Sequence, residues 1–166
     1  MLTKRKQIDQ KVKEYLIVLV QMPYLKFILL FFLITLFFGV ITFFLPSHLA
    51  SENPVNHFDS ITEQLLFGVL IGPIIETLLF QSLIISIICK IVKKTRFNLI
   101  PALVISAIAF GLNHSYNLVY IIYTFIIGIF LAFVYYVARF RKESATLSVF
   151  LIHSIINLIS FNIDSF

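Results

Sequence analysis

Five stretches of this chain, residues 26–45, 61–89, 99–113, 118–138 and 145–163, are apolar almost without interruption. A run of that kind leaves water only if its backbone polar groups are satisfied internally, which in lipid only helices and closed barrels achieve. Strands of a membrane barrel alternate apolar and polar residues, and that alternation is absent, so helices remain. Composition agrees, with 60% hydrophobic and 13% charged residues against roughly 25% charged in soluble domains. The 166 residues suffice for one compact unit. The expected fold class is all-α: a polytopic membrane bundle of about five transmembrane helices.

Charge sets the expected orientation. Lys4, Arg5, Lys6, Lys11, Lys13 and Lys26 precede the first apolar run, Lys90, Lys93, Lys94 and Arg96 follow the second, and Arg139, Arg141 and Lys142 follow the fourth. The loop at 46–60 and the turn around His114 to Asn117 hold no Lys or Arg. By the positive-inside rule the N-terminus is cytoplasmic and the C-terminus outside. The net charge of +5 therefore reads as topology, and no nucleic-acid motif accompanies it. Residues 1–25 repeat Ile8, Val12, Leu16 and Leu19 between charged positions. That pattern predicts a short interfacial helix on the inner surface, the alternative being an extension of the first span. No early apolar run ends in a small-residue cleavage site, so no removable signal peptide is expected. Cys89, the single cysteine, excludes an internal disulfide and reads as a small buried apolar residue.

Seven of the eight acidic residues flank the apolar runs; Glu76 falls inside one. A carboxylate near the bilayer centre costs about 2.5–3.5 kcal/mol on insertion scales, so it faces a cavity or a partner. A plain packing role would require it to be a protonated, hydrogen-bonded acid. Gly72-Pro73 stands just before it. Proline removes a helical hydrogen bond, and the freed backbone must be satisfied by water or protein. The sequence thus predicts a kink and a wet pocket beside Glu76. His114 ends the third apolar run, and His153 lies in the fifth with Asn157 four residues on, on the same helix face. Either histidine alone would read as a helix-to-helix hydrogen-bonding residue. At 1.5 Å per residue, Glu76, His114, His153 and Asn157 lie at depths of about 20, 22, 12 and 18 Å, which permits one shared layer. His48 and His57 fall in the outer loop, where solvation is expected and no chemistry is assigned.

Two chemistries suit these groups. A carboxylate beside an imidazole can position a water and take its proton, while a second imidazole and a carboxamide donate to an oxyanion, as peptide-bond hydrolysis requires. Alternatively, Glu76, His114 and His153 offer three zinc ligands with a fourth position open for water. No HExxH stands on any helix, so the common metalloprotease pattern has no support.

These residues resemble the CAAX-protease and bacteriocin-processing (CPBP, or Abi) family of intramembrane peptidases. The family's first motif, two glutamates followed by three residues and arginine, aligns with Pro73-Ile74-Ile75-Glu76-Thr77-Leu78-Leu79-Phe80-Gln81. Its second, phenylalanine followed by three residues and histidine, matches Phe110 to His114, and its third, histidine followed by three residues and asparagine or aspartate, matches His153 to Asn157. The resemblance implies a peptidase core over 60–163, preceded by the basic segment 1–25 and a first span with its outer loop at 26–59. It implies that Glu76 activates water with His114 as partner, and that His153 and Asn157 stabilise the oxyanion, or that His153 is a ligand if zinc is bound. Thr77 replaces the second glutamate and Gln81 the arginine. These two, four residues apart, are expected to exchange a buried ion pair for a neutral hydrogen bond, an exchange that need not lower stability.

The expected function is therefore an intramembrane endopeptidase acting on a membrane-associated peptide, in bacteriocin processing or self-immunity. Its partners would be that peptide and the lipid bilayer, with no nucleic acid. Usage of Ile, Phe, Lys and Asn hints at a low-GC bacterium, hence a multi-pass protein of the plasma membrane. The alternative, favoured by Thr77 and Gln81, is a diverged immunity or chaperone-like protein that binds a peptide without cutting. An ion or proton carrier would also explain membrane Glu and His, but no inverted repeat is detectable.

Overall fold

The computed structural model describes residues 2–43, 60–92 and 99–164, with side chains at 10–37, 60–92 and 99–159. The expected outer loop, His48, His57 and the basic residues Lys93, Lys94 and Arg96 lie outside the described residues. Six helices and no strand occur among the described residues: α1 (Leu2–Gln21), α2 (Tyr24–Phe43), α3 (Ile61–Ile91), α4 (Leu99–Asn113), α5 (Leu118–Ala138) and α6 (Ala145–Asp164). The all-α membrane class holds, and every apolar run of the sequence is a helix. Of these, α3 and α5 are each long and apolar enough to cross a membrane, and α1 with α2 qualifies only as one bent pair. Among the described residues, two or three helices therefore meet both criteria by length and composition. At 1.5 Å per residue α4 spans about 22 Å, short of a hydrocarbon core of about 30 Å. It stops early because the polar turn from His114 to Asn117 follows, where the Asn117 side chain accepts from Tyr120 N at 2.8 Å and starts α5.

The N-terminal helix is not a straight extension of the first span. At Met22-Pro23 the chain bends by 117° between α1 and α2, as expected where the residue before a proline is kept out of the helical region. Arg141, which in the sequence reads only as a topology marker, holds this elbow. Its guanidinium donates to the carbonyls of Leu19, Val20 and Met22 at 2.6, 2.9 and 2.7 Å, and Nε donates to Glu143 at 3.1 Å. The guanidinium also lies 4.5 Å from the Phe27 ring centroid. A cation is thereby placed on the unsatisfied carbonyls at the C-terminus of α1, where the helix dipole favours it.

The closest pairing in the bundle is α4 on α5. A Cβ added to Gly128 would stand 3.1 Å from Ala107 Cα and from Phe110 Cδ1, and one on Gly111 would stand 3.1 Å from Ile121 O and Phe125 Cβ. Small residues let the two backbones approach, as membrane helices require when lipid removes the hydrophobic drive between them.

The long helix α3 carries the feature that positions the rest. It starts with an N-cap, Ser60 Oγ accepting from Glu63 N at 3.2 Å. It then widens into two stretches of π-helix, Gln64–Ile71 and Thr77–Leu83, on either side of Gly72–Glu76. Pro73 lies between the two stretches, and α3 continues through it as one helix. One effect is a straight buried stripe, Val69, Pro73, Thr77, Gln81, Ile85 and Cys89. At 3.6 residues per turn a four-residue spacing drifts by about 40° per step; the wider π turns cancel the drift.

The second effect concerns one carbonyl. Gly72 N–H bonds to Phe67 O in the i→i+5 register, so it does not serve the Gly68 carbonyl. The next candidate donor is residue 73, a proline without an N–H. The Gly68 carbonyl is instead satisfied by Asn157 Nδ2 of α6 at 2.8 Å. We expect Asn157→Ala to destabilise the folded protein by about 1–3 kcal/mol, the penalty for stranding a buried acceptor. Thermal or denaturant unfolding in lipid measures this, and Asn157→Asp, which lacks the N–H donor, should not rescue it.

Candidate active site

Three helices bring the sequence candidates together. Glu76, near the middle of α3, sets Oε1 3.5 Å from His114 Nε2 at the end of α4, and Oε2 3.5 Å from His153 Nε2 in α6. Each carboxylate oxygen thus faces its own imidazole, and the depth coincidence read from the sequence is realised as contact. Both separations exceed the 2.7–3.2 Å usual for an N–H to O bond, so the carboxylate keeps lone-pair capacity for a further donor. Glu76 and His114 are part-buried, with side chains 20% and 15% exposed, whereas His153 is enclosed.

Phe110 explains why phenylalanine and histidine stand four residues apart. His114 Nδ1 lies 2.8 Å from the Phe110 carbonyl one turn earlier. A carbonyl only accepts, so Nδ1 carries the proton, and Nε2 is the nitrogen that faces Glu76. An unprotonated Nε2 and a carboxylate oxygen are both acceptors, so the Glu76 and His114 pair is compatible only when it shares a proton or a water. The Phe110 ring meanwhile packs on both imidazoles, at centroid distances of 4.6 Å to His114 and 5.6 Å to His153. It is held edge-on to Phe80 of α3 at 5.8 Å, and the Phe80 carbonyl accepts from Ser106 Oγ at 2.8 Å. One aromatic residue therefore fixes the spacing of all three helices at the carboxylate.

Asn157 lies one turn from His153 on the same face of α6. One of its two carboxamide hydrogens goes to Gly68, and the second remains for another acceptor. Sequence reasoning places Asn157 beside His153 correctly but misses Gly68. The available signal is that Gly68 stands five residues before a proline, where a π-helical register leaves a carbonyl without its donor. Tyr120, also missed, lies 5.9 Å from the His114 ring and 5.4 Å from Tyr116, and forms an aromatic flank at the α4 to α5 turn.

The expected hydrogen bond between Thr77 and Gln81 does not form. Both residues are 0% exposed, yet Thr77 Oγ1 and both polar ends of Gln81 have no hydrogen-bond partner in the structure. Glu76, His114 and His153, the candidate zinc ligands, converge, with each imidazole Nε2 3.5 Å from a different carboxylate oxygen; among the described residues no group of three His, Cys, Asp or Glu is arranged to hold a metal ion. Replacing an unpaired buried carboxamide by an apolar side chain of similar shape is neutral or favourable. Gln81→Met is accordingly expected to unfold at the same temperature as the parent or higher, as followed by thermal melting in lipid.

A family model, Type II CAAX prenyl endopeptidase Rce1-like, matches residues 59–159. No curated protein and no solved structure matches the chain. The matched segment contains Glu76, Phe110, His114, His153 and Asn157 and covers more than half of the sequence. The chain belongs to the Rce1-like family of type II CAAX prenyl endopeptidases.

Proposed function

We propose that this multi-pass membrane protein is an intramembrane endopeptidase in which Glu76, His114, His153 and Asn157 carry the chemistry. The observation that supports this most is the Glu76 carboxylate held between two imidazoles from separate helices. Such a group in a membrane helix needs a function that outweighs its insertion penalty.

The reaction runs as a water-mediated hydrolysis. A water between Glu76 and His114 gives its proton to the carboxylate as its oxygen attacks the scissile carbonyl carbon. The negative charge that develops on the carbonyl oxygen is met by N–H groups of His153 Nε2 and of the free Asn157 hydrogen, donors already positioned before the reaction. As the tetrahedral intermediate collapses, the C–N bond breaks and the proton held by the Glu76 and His114 pair passes to the leaving amine. His114 supports this transfer because its Nδ1 is tied to Phe110, which leaves Nε2 as its only nitrogen for exchange with the carboxylate.

The substrate is a membrane-associated peptide or protein. Processing of a bacteriocin or signalling-peptide precursor, or self-immunity, are roles within this class, and a bacterial plasma membrane with the N-terminus cytoplasmic and the C-terminus outside is the proposed setting. Segment 60–163 is the catalytic core, with 1–25 an interfacial helix and 26–59 a first span and loop.

The test uses the protein in lipid with a hydrophobic peptide library read by mass spectrometry. Wild type is expected to release products, Glu76→Gln to lower kcat by about 10²-fold or more, the range removed with a general base, and His153→Ala to be similarly impaired. A chelator should leave the wild-type rate unchanged. Equal cleavage by wild type and Glu76→Gln, or cleavage by neither variant nor wild type, contradicts the proposal.

A further inference from the structure

Of the three groups at the candidate site, Glu76 and His153 stand within helices, whereas His114 follows the last residue of α4. Its N–H donates to Gly111 O at 3.0 Å and its carbonyl accepts from Tyr116 N at 2.9 Å, the bonds of a turn. The imidazole is tied through Nδ1 to the Phe110 carbonyl at 2.8 Å. A carbonyl oxygen accepts over a broad range of directions, so that bond does not by itself fix where Nε2 points. An imidazole that faces Glu76 from a turn needs a second hold.

The first turns of α5 supply one. Gly111, with Ile121 O and Phe125 Cβ 3.1 Å from an added Cβ, lets the start of α5 approach the end of α4. There the Tyr120 ring lies 5.9 Å from the His114 ring, tilted by 54°, and also 5.4 Å from Tyr116 and 6.1 Å from Tyr123. These separations fall in the range of about 4.5–7 Å that aromatic pairs prefer. Phe110 of α4 lies 4.6 Å from the same imidazole, so His114 has an aromatic neighbour on each of two helices.

Tyr120 is itself held at both backbone groups. Its N–H donates to Asn117 Oδ1 and its carbonyl accepts from Thr124 Oγ1, each at 2.8 Å. The Asn117 bond is the cap that starts α5, and Thr124 is buried. A ring carried on a backbone fixed in this way can orient a neighbour on a less constrained turn.

We propose that Tyr120 is a positioning residue: its ring keeps the His114 imidazole from swinging off the Phe110 carbonyl and so holds Nε2 at the Glu76 carboxylate. The effect on rate rests on the peptidase reading; the hold on His114 does not. The hold comes from the ring, so the phenol hydroxyl is dispensable. Because Tyr120 acts through His114, losing the ring lowers kcat and leaves KM in place.

Two arms test it in lipid, with Tyr120→Phe, which keeps the ring, and Tyr120→Leu, which keeps apolar bulk without it. Thermal melting checks that both are folded. In the first arm, the rate on a peptide that wild type cleaves is resolved into kcat and KM. Tyr120→Leu is expected to lower kcat by about 10-fold or more with KM within about two-fold, and Tyr120→Phe to stay within about two-fold in both. A folded Tyr120→Leu with the wild-type kcat, an equal loss in Tyr120→Phe, or a raised KM at unchanged kcat overturns the proposal. In the second arm, nitrogen NMR observes the histidine rings, the His114 signals being those absent from His114→Gln. Wild type and Tyr120→Phe should show the Nδ1-protonated form alone, and Tyr120→Leu a mixture of both tautomers. An unchanged His114 tautomer in Tyr120→Leu overturns the hold. Asn117→Ala, which frees the Tyr120 backbone and leaves the ring, should shift both readouts in the same direction, and it decides the matter if Tyr120→Leu does not fold. If wild type cleaves nothing, the peptidase reading falls by itself and the NMR arm alone decides whether Tyr120 fixes His114.

Discussion

A missing hydrogen does most to shape this molecule. Pro73 has no N–H, and with Gly72 already bonded to Phe67 the carbonyl of Gly68 has no donor in its own helix. Burial of an unpaired carbonyl in lipid or protein is costly, and the donor comes from Asn157 of a different helix, at 2.8 Å. That bond sets the register of α6 on α3. With Asn157 fixed opposite Gly68, His153 comes one turn away along α6, where it meets the Glu76 carboxylate. A backbone defect and a reactive cluster are thus two ends of one constraint.

The other side of the carboxylate is set by Phe110 in the same economical way. Its carbonyl selects the nitrogen of His114 that faces Glu76, and its ring touches both imidazoles and Phe80. Behind it, Gly128 leaves just enough room for the α4 helix at Ala107 and Phe110. The small residues of α4 and α5 therefore act on the site through one aromatic ring. At the opposite end of α5, Arg139 donates to Cys89 at 3.0 Å and Arg141 caps α1. Basic residues that read as markers of topology are also the ties between helices there.

What was legible in the sequence follows from the strength of the penalties involved. Apolar runs without charge have one viable conformation in lipid, so the helices could be placed almost to the residue. Glu76 stood out because a carboxylate inside such a run is expensive, and His114, His153 and Asn157 because their depths coincide. What escaped depends on backbone register. The π-helical turns leave no composition signal, and they decide that Gly68 loses its donor. The capping role of Arg141 is invisible in the sequence for a related reason: its partners are carbonyls, which any sequence supplies.

The central claim, that the proline-freed carbonyl recruits Asn157, is tested most directly by a double-mutant cycle on unfolding free energy between Pro73→Ala and Asn157→Ala. Alanine at position 73 restores an N–H that can serve Gly68. The account predicts that Asn157→Ala is less destabilising in the Pro73→Ala background than in the parent by about 1 kcal/mol or more. Additive effects, within about 0.3–0.5 kcal/mol, would contradict it.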